Sequence, residues 1–455
     1  MSEIRLVAAT GMLGSGFREE TLKRAMTLNP DFIGVDAGTT DAGPHYLGCE
    51  ETHFSDSAYK RDLRLILIAA RAARIPAIVG SAITAGTDNQ VRHLVRIARE
   101  IAREEKLSFK LGVVYSEQNR DYLKKRLRER RIRPLANPPP LDEAVIDRST
   151  HIVGLAGAEP YMEALDKGAE VVISGRSSDT SIFAAMPLMR GFDPGLVWHA
   201  AKVMECGAAS VVLRKYPDCM FAAIGKDSFT IEPPNPDYRC DPVSIASHNL
   251  YENGTPYELV EPSGVLNTYD AKYEAVSERA VRVSGGQFTP AERYTVKLEG
   301  AELAGYQSII IGAVRDPIIL RQFDSWLEGL VRAAKERILA VFGAGIEEKY
   351  RFDVRVFGRN AAMGRLESDL SIGHEVGLVF QVTAQTQELA AALMKSVGHI
   401  AVHFPVPEYS GLITSIAYPY SPAELHRGAC YRFNLNHVVE PDTPLEMFRL
   451  DYETV

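Results

Sequence analysis

The N-terminal part of the chain alternates between short apolar runs and longer amphipathic stretches. The apolar runs predict buried β-strands at 4–9, 31–35, 77–80, 109–115, 151–155 and 171–174. Between them, stretches such as 89–106 place apolar residues three or four positions apart, which indicates helices with a polar outer face. Strands that alternate with helices are typical of parallel pairing. The pattern therefore predicts an α/β fold with a parallel-sheet βαβ core.

The pattern changes after residue 208. Residues 209–310 are rich in Pro, Gly, Tyr and Val and predict an irregular α+β region, and a long amphipathic helix follows at 318–342. Two strand-like runs, a helix at 386–401 and a last strand then predict a small C-terminal α/β sandwich. We therefore predict three domains, at 1–208, 209–345 and 346–455.

Composition and charge exclude several classes of protein. The chain has 455 residues, of which 46% are apolar and 24% charged, as in ordinary globular proteins. Its net charge of -8 shows no basic excess, so we expect no nucleic-acid partner. We find no signal peptide, and no apolar stretch reaches the roughly 18 residues of a membrane span. Five cysteines without a CxxC pair predict neither a disulfide framework nor a structural zinc site, so we expect a cytoplasmic protein without membrane contact.

Small polar residues dominate the segments that follow the predicted strands. In parallel sheets, ligands bind at the carboxyl ends of the strands. Five of the six segments there consist mainly of Gly, Ser, Thr, Asp and Glu, and the six lie at 9–17, 33–48, 81–89, 116–120, 156–161 and 175–181. This accumulation predicts a site for a ligand whose oxygens are held by N–H groups and hydroxyls.

The segment after the second strand, "IGVDAGTTDAGPHYLG", carries more polar groups than a turn requires. Asp36 and Asp41 can hold a divalent metal through oxygen, bind substrate hydroxyls or cap the next turn, and all three readings stay open. His45 and Tyr46 carry transferable protons and are candidate acid–base groups beside the two aspartates, although a lone His is more often structural. The candidate substrate contacts in this segment are Gly38, Thr39 and Thr40.

The segment "ISGRSSDTS" gives the strongest indication of a binding site. The guanidinium of Arg176 can donate two hydrogen bonds to a carboxylate or phosphate, and the hydroxyls of Ser177 and Ser178 can bind the same group. Ser178 or Asp179 can instead cap the following helix, with Arg176 on the surface. The other candidate substrate contacts at strand ends are Ser81, Glu159, Ser174 and Gly175. No GxSxG elbow supports a nucleophilic serine.

Other signals are weaker. "GMLGSG" at 11–16 can cradle an anion or form an ordinary turn, but it is not a dinucleotide fingerprint, so we expect no redox cofactor and keep only a divalent metal open. His199, Lys202 and Glu205 or Cys206 are neighbours on one predicted helix. Lys297 and Glu299 project from the same face of a predicted strand, and surface pairing explains them equally well.

Six blocks in order resemble the acyclic terpene utilisation A family. They are "IGVDAGTTDAGPHYLG", "GLAGAEPYMEAL", "VVISGRSSDTSIFAAMPLMRGFDPGLVWHAAKVMECGAAS", "FTIEPPNPDYRCDPVSIASHNLYEN", "LVEPSGVLNTYDAKYEAV" and "YTVKLEGAELAGY". The resemblance spans essentially the whole chain. It implies a catabolic role, in citronellol and geraniol breakdown or in the degradation of carboxylates and acyl-CoA compounds. It also implies that a small module, present in some members, can be a separate partner subunit. We infer that the middle blocks, around 233–239 and 261–264, fold over the same edge.

These observations predict an enzyme of small-molecule catabolism. We expect a lyase, hydratase or isomerase that acts on a carboxylate or acyl-CoA substrate, with Arg176 at its anionic end. One alternative is a hydrolase with a metal-bound water, and another is a non-catalytic subunit of a catabolic complex. Large α/β catabolic enzymes often self-associate, so we expect a homo-oligomer.

Overall fold

The computed structural model describes residues 3–135, 139–409 and 411–455. The described chain forms two compact units. The first comprises residues up to Glu302 together with Phe433–Val455, and the second comprises Leu303–Arg432. The three domains expected from the sequence stay a prediction about how the chain is organised.

The first unit opens with the expected alternation of strands and helices. Its elements up to residue 204 are β1 (Ile4–Ala8), α1 (Glu19–Thr27), β2 (Phe32–Gly38), α2 (His45–Cys49), α3 (Asp56–Ala73), β3 (Ala77–Thr84), α4 (Asp88–Glu105), β4 (Lys110–Tyr115), α5 (Arg120–Arg128), β5 (Ile132–Pro134), α6 (Glu143–Arg148), β6 (His151–Gly154), α7 (Glu159–Asp166), β7 (Val171–Ser174), α8 (Ser181–Met189) and α9 (Pro194–Met204).

Most of the elements after residue 204 are short strands. The elements that follow are β8 (Met220–Ile224), β9 (Phe229–Glu232), α10 (Pro242–Asn249), β10 (Glu258–Glu261), β11 (Gly264–Asn267), β12 (Lys272–Ala275), β13 (Val281–Ser284), β14 (Gln287–Pro290) and β15 (Val296–Val314). β15 carries the chain from the first unit into the second. β10, β11 and β14 form a separate antiparallel sheet.

Ten strands of the described residues form one mixed sheet, in the order β12-β13-β9-β8-β1-β2-β3-β7-β4-β19. The middle five strands, β1, β2, β3, β7 and β4, run parallel. Antiparallel strands extend the sheet on both sides. The predicted α/β fold with a parallel N-terminal core is therefore confirmed.

Apolar clusters cover both faces of the parallel strands. Leu6 and Ala8 of β1 belong to one buried cluster, and the alternating Val7 and Ala9 belong to the other. Helices α3 and α4 pack on the Val7 side, and α8 and α9 on the Leu6 side. Because both faces are covered, β2 is buried along its whole length, which accounts for its continuous apolar run.

The direction of the chain reverses once within the parallel core. β1, β2 and β3 are adjacent in order, β4 lies one position beyond, and β7 returns to fill the place between β3 and β4. Right-handed crossovers place helices before and after such a reversal on opposite faces. The segments that follow β2, β3 and β7 therefore meet at one edge of the sheet, where ligands of open α/β sheets bind.

One predicted strand does not belong to the parallel series. The run 151–155 was expected to extend it, but β6 pairs antiparallel with residues 298–301 of β15. Hydrophobic periodicity identifies a buried strand without identifying its partner, which explains the error. The segment after β6 still reaches the same edge, since Ala156 forms a parallel bridge with Ser177.

The second unit is a smaller α/β layer structure. Its elements, with the strand that leads back and the last strand of the chain, are α11 (Pro317–Arg321), α12 (Phe323–Phe342), β16 (Tyr350–Phe357), β17 (Val376–Ala384), α13 (Gln387–Val402), β18 (Glu424–Val439) and β19 (Arg449–Thr454). β17 pairs antiparallel with β16 and with residues 306–314 of β15. The predicted order of two strands, a helix and a strand is confirmed by β16, β17, α13 and β18.

No helix in the described ranges is both long enough and apolar enough to cross a membrane.

Candidate functional site

Asp36 lies at the end of β2 and is buried, with 1% of its surface exposed. Its Oδ2 accepts a hydrogen bond from the Gly38 amide at 2.9 Å, whereas Oδ1 has no hydrogen-bond partner among the described residues. Burial, reinforced by the negative charge of Asp179, raises the pKa of Asp36 well above its ordinary value. The protonated form of this side chain is therefore favoured relative to an exposed aspartate.

Arg176 is the buried cation of this edge. Its Nε donates to Glu299 Oε2 at 3.2 Å, and its Nη1 donates to Ser81 Oγ at 3.2 Å and lies 4.0 Å from Asp179 Oδ1. Nη2 has no hydrogen-bond partner in the part of the chain that the structure describes. Arg176 is thus fixed by two acids and a hydroxyl, and one amino group remains for a ligand.

Asp179 is the solvent-reachable member of the cluster, with 34% of its side chain exposed. Burial by the surrounding walls raises the pKa of Asp179, and the nearby Arg176 counteracts that rise. Asp36 and Asp179 therefore differ in surroundings, because only Asp179 has both a cation and solvent. Two carboxyl groups whose surroundings separate their pKa values are a common acid–base arrangement.

Ser81 connects the ends of β3 and β7. Its Oγ accepts from Arg176 and from the Ser177 amide at 3.3 Å, and it donates to the Ser177 carbonyl at 3.3 Å. The buried Tyr161 hydroxyl donates to Ser177 Oγ at 2.7 Å. These bonds fix the turn that carries Arg176.

The end of β3 has an unusual backbone. Ser81, Ile83 and Thr84 have φ values of 43°, 48° and 80°, in the left-handed region that branched residues rarely adopt. Gly86 follows, also at positive φ, and a Cβ there would lie 2.2 Å from the Arg176 amide. Such strain costs about 1–3 kcal/mol per residue and is concentrated at functional sites in proteins. Here it lies beside Asp36 and Arg176.

Glu261, from β10, lies next to the segment that follows β7 at the same edge of the sheet. It is 3% exposed, and its Oε1 accepts from the Ser178 hydroxyl at 3.0 Å and from Thr180. Its Oε2 has no partner among the described residues. Burial raises the pKa of Glu261 to about 7. The expectation that the middle blocks fold over this edge agrees with this position.

Glu159 lies at the start of α7, after the loop that follows β6. Its Oε2 accepts a hydrogen bond from the Tyr294 hydroxyl at 2.7 Å, and burial raises its pKa. The negative charge of Glu261 acts on Tyr294, so this pair borders the same acidic region.

The other predicted loop residues lie elsewhere on this edge. Gly38 packs closely against Ser81, where a Cβ would come within 2.4 Å of the serine Cβ. The Thr39 amide donates to the Thr84 carbonyl at 3.1 Å, and the Thr39 hydroxyl accepts from the Asp41 amide at 3.1 Å. These contacts are those of a structural turn. Thr40, in the same turn, accepts at its carbonyl from the Gly43 amide.

Asp41 and His45 do not join the buried cluster. Asp41 is exposed. His45 lies in α2, where its Nε2 is 3.0 Å from Glu51 Oε2 and 3.4 Å from Cys49 Sγ. Tyr46 packs edge-on against the His45 and His53 rings. The structure therefore brings Asp36, and not Asp41 or His45, to Arg176.

Ser174 and Gly175 form the end of β7. Ser174 is buried, and its Oγ has no hydrogen-bond partner within the described ranges. The Gly175 amide donates to the Val114 carbonyl at 2.8 Å. A Cβ on Gly175 would lie 2.7 Å from the Gly86 carbonyl oxygen, so the strand ends approach each other closely here.

Metal-binding geometry occurs elsewhere than expected. Three groups of potential ligands occur in the described residues, and neither Asp36 nor Asp41 belongs to any of them. The groups are His45–Cys49–Glu51, Glu50–Glu117–His151 and Glu205–Cys206–His248.

Several residues of the site were not among those predicted from the sequence. Glu299 and Glu261 come from β15 and β10, and Tyr161 from α7. The block at 261–264 was expected to fold over this edge and Lys297–Glu299 to pair on one face of a strand, but neither Glu261 nor Glu299 was predicted as a site residue. Within the described residues His199 is structural, since its Nε2 accepts from Asn249 at 2.8 Å and burial lowers its pKa to about 3.

The parallel sheet and the side chains at its edge make this an α/β protein with a cluster of buried acids at the carboxyl ends of its strands. Residues 5–212 match the model of a family described as "Acyclic terpene utilisation family protein AtuA". The resemblance predicted from the sequence blocks is therefore confirmed over this range, which holds β1 to β7 and Asp36, Ser81, Arg176 and Asp179. No curated protein and no solved structure matches the chain.

Proposed function

We propose that this protein is an enzyme of small-molecule catabolism, a lyase, hydratase or isomerase that moves a proton on an acyl substrate. The name of the matched family refers to the utilisation of acyclic terpenes, which supports a catabolic role. The observation that carries the proposal is the cluster of Asp36, Asp179 and Arg176 at the carboxyl ends of β2 and β7. Two carboxyl groups in different surroundings close to a fixed cation are what a proton-transfer reaction requires.

The two aspartates take different roles. Asp36 is buried, and burial raises its pKa, so it acts as the general acid. Asp179 lies beside Arg176 and is partly exposed, so it acts as the base that removes a proton from the carbon next to the carbonyl. In a hydratase, Asp36 would protonate the departing hydroxyl, and in an isomerase it would return a proton at another carbon.

The charge of the cluster bears on the substrate. Asp179 and Glu299 already balance the charges of Arg176 and of Lys297, which pairs with Glu299 at 3.1 Å, and Glu261 adds a further acid nearby. A free carboxylate would meet repulsion here, whereas the uncharged carbonyl of a thioester would not. The free Nη2 of Arg176 can donate a hydrogen bond to that carbonyl oxygen. An acyl thioester is therefore favoured over a free acid.

The test is exchange of carbon-bound hydrogen with solvent. The full-length protein is incubated in D₂O with saturated and unsaturated acyl-CoA compounds of increasing chain length, and deuterium next to the carbonyl is followed by NMR and mass spectrometry. We expect exchange by the wild type. General acid–base catalysis contributes roughly 10²- to 10⁴-fold, so Asp179→Asn should slow exchange by about that factor.

Asp31→Asn is the matched control, because Asp31 immediately precedes the same strand at its opposite end. It should leave exchange unchanged. Asp36→Asn should spare exchange, which needs only the base, but abolish net turnover, which also needs the acid. Equal exchange by wild type and Asp179→Asn, or none with any acyl-CoA compound, would contradict the proposal and favour a non-catalytic subunit.

A further inference from the structure

A separate cavity lies between the loop after β1, the segment that follows α9 and the helix α10. Its volume is about 840 Å³. Mostly apolar side chains line it, including Met12, Phe54, Val211 and Val243. Two residues with different chemistry, Cys206 and His248, also belong to its wall. The proton-transfer site proposed above uses neither of them.

Cys206 and His248 form a three-residue cluster with Glu205. One potential ligand atom from each side chain lies within 4.8 Å of the other two. Ligand atoms bonded to zinc at about 2.0–2.3 Å in a tetrahedron are separated by roughly 3.5 Å, so small side-chain rotations suffice to bring them to one ion.

His248 provides an observation independent of this clustering. It is 8% exposed, and its Nε2 has no hydrogen-bond partner among the described residues. The unprotonated nitrogen of a neutral imidazole offers a lone pair, which is what a metal ion binds. The ring stacks on Tyr251 at a centroid distance of 6.0 Å, which restricts its orientation. A buried imidazole nitrogen without a partner is costly unless something binds it.

Glu205 also retains a free ligand atom. Lys202 Nζ donates to its Oε1 at 2.5 Å, and Oε2 has no hydrogen-bond partner in the part of the chain that is described. Both residues are almost fully buried. The ion pair therefore orients the carboxylate without occupying the oxygen that faces a ligand, as residues around metal ligands commonly do.

We propose that Glu205, Cys206 and His248 bind a divalent cation of the zinc class at the wall of this cavity. Nitrogen, sulfur and carboxylate oxygen are the donors that zinc takes in proteins. Three protein ligands leave the fourth position open, as in catalytic rather than structural zinc sites. Because Cys206 and His248 line the cavity, that position is accessible to a small molecule inside it.

Charges of both signs surround the cluster. The negative charges of Asp179 and Glu252 act on both Glu205 and Cys206, and Lys202 and Arg214 are the opposing cations. A bound divalent ion stabilises a thiolate and a carboxylate.

The other two clusters of potential ligands are less suited to bind a metal ion. His45, Cys49 and Glu51 lie at the surface, with 41% of the His45 side chain exposed. In the third cluster His151 Nδ1 is already paired with Glu117 at 2.6 Å, and Glu50 accepts from Thr87 at 2.6 Å. Neither offers a nine-tenths buried nitrogen without a partner among the described residues.

Cobalt provides a spectroscopic test. The full-length protein is stripped of metal and titrated with Co²⁺, and the near-ultraviolet charge-transfer band of a cobalt–thiolate bond is recorded. We expect the band to saturate at one equivalent, to disappear in Cys206→Ser and to need at least tenfold more Co²⁺ in His248→Gln. The matched control is Cys49→Ser, which removes the thiol of the surface cluster and should leave the band intact. Persistence of the band in Cys206→Ser, its loss in Cys49→Ser or its absence from the wild type would overturn the proposal.

A second measurement needs no variant and therefore does not depend on variant folding. Thiol alkylation of the metal-free wild type is followed cysteine by cysteine with mass spectrometry, with and without one equivalent of Zn²⁺. We expect Zn²⁺ to slow alkylation of Cys206 at least tenfold and to leave Cys49 and Cys430 unaffected. Equal rates at Cys206 with and without Zn²⁺ would refute the site. Neither measurement uses acyl-CoA turnover, so the zinc site and the proton-transfer function can fail separately.

Discussion

The two ends of β2 carry the same residue type in opposite surroundings. Asp31, just before the strand, accepts from the Arg5 amide at 2.8 Å and from Arg190 Nη1 at 2.6 Å. Asp36, at the other end, is buried without a cation in hydrogen-bond contact, and its Oδ1 is unpaired among the described residues. One aspartate belongs to a structural ion pair, whereas burial raises the pKa of the other.

The same contrast occurs along β7. Glu170, just before the strand, accepts from the Lys110 amide at 3.0 Å and pairs with Arg71. The amide hydrogen bond, helped by Arg71, lowers the pKa of Glu170. Beyond the other end, burial raises the pKa of Asp179 and of its neighbour Glu261.

The comparison shows where stability is lost in this fold. Acids at the amino ends of the strands are paired and stabilise the sheet, whereas acids at the carboxyl ends are desolvated and destabilise it. Natural proteins accept such local costs mainly at functional sites. This difference between the acids at the two ends of the strands therefore supports a site at the carboxyl edge. Variants at either edge can test it.

The largest effect is expected from removing Arg176. Arg176→Met leaves Glu299 and Asp179 without their shared cation, and breaking a buried pair costs about 3–5 kcal/mol of the free energy of unfolding. Urea unfolding of the intact protein measures this loss. The matched change at the amino edge, Arg190→Met, should cost only about 1 kcal/mol, because that pair is partly exposed.

Adding Glu299→Gln to Arg176→Met should recover part of the lost stability, since it removes a buried negative charge that has lost Arg176 and keeps only the partly exposed Lys297 as a partner. An equal cost for Arg176→Met and Arg190→Met would mean that the two edges do not differ in the way the contacts indicate.

The next effect is the pH dependence of stability. The pKa of Glu261 is raised from 4.5 to about 7 in the folded protein. Its stabilising contribution is therefore fully present below pH 4.5 and is lost as the pH rises through about 7, a loss of about 3 kcal/mol by linkage. Glu261→Gln should flatten the fall in unfolding free energy over this window.

Glu170→Gln is the control at the amino edge. The pKa of Glu170 is lowered, so its contribution is lost only as the pH falls below 4.5, outside that window. It should leave the slope between pH 4.5 and 7 unchanged. A slope that Glu261→Gln does not alter would contradict the protonated state assigned to Glu261.

A smaller effect separates the two aspartates of β2. Asp36→Asn replaces a buried carboxyl group, whose pKa is raised, with a neutral amide of similar shape, so the free energy of unfolding should stay within about 1 kcal/mol of wild type. Asp31→Asn removes a charge-assisted bond to Arg190 and should cost about 1–2 kcal/mol. Thermal unfolding of both variants at neutral pH tests the order. A larger loss for Asp36→Asn would indicate that this carboxyl is a structural anion.

The sequence predicted the parts of the site that follow from strand order. Asp36, Ser81, Arg176 and Asp179 come directly after strands or at their ends, and the carboxyl ends of parallel strands meet by geometry. Glu299 could not be placed, because it reaches Arg176 across 123 residues of sequence from a strand outside the parallel core. No local pattern specifies such a contact.

The loop after β2 shows that sequence-based prediction can also assign too many residues to a site. Its composition indicated one wall of a site from Asp36 to Tyr46, yet the helix α2 begins at His45 and directs that side chain to Glu51. Residues with suitable chemistry in one loop need not share one direction. The strand at 151–155 was recognised, but its antiparallel partner lay beyond what its periodicity could show.

The smallest effect concerns the backbone strain at the end of β3. Thr84 has φ 80°, and a left-handed conformation costs a residue with a Cβ about 1–2 kcal/mol, which Thr84→Gly would relieve. The same change loses a buried methyl group and adds disorder to the unfolded chain, each about 1 kcal/mol, so the net change should be small.

Thr10, buried after β1, is the matched control because its φ is not positive. Thr10→Gly has no strain to relieve, so it should cost at least about 1 kcal/mol more in urea unfolding than Thr84→Gly. Equal costs would show that the end of β3 stores no strain, and would leave the buried acids as the only departure of the carboxyl edge from the amino edge.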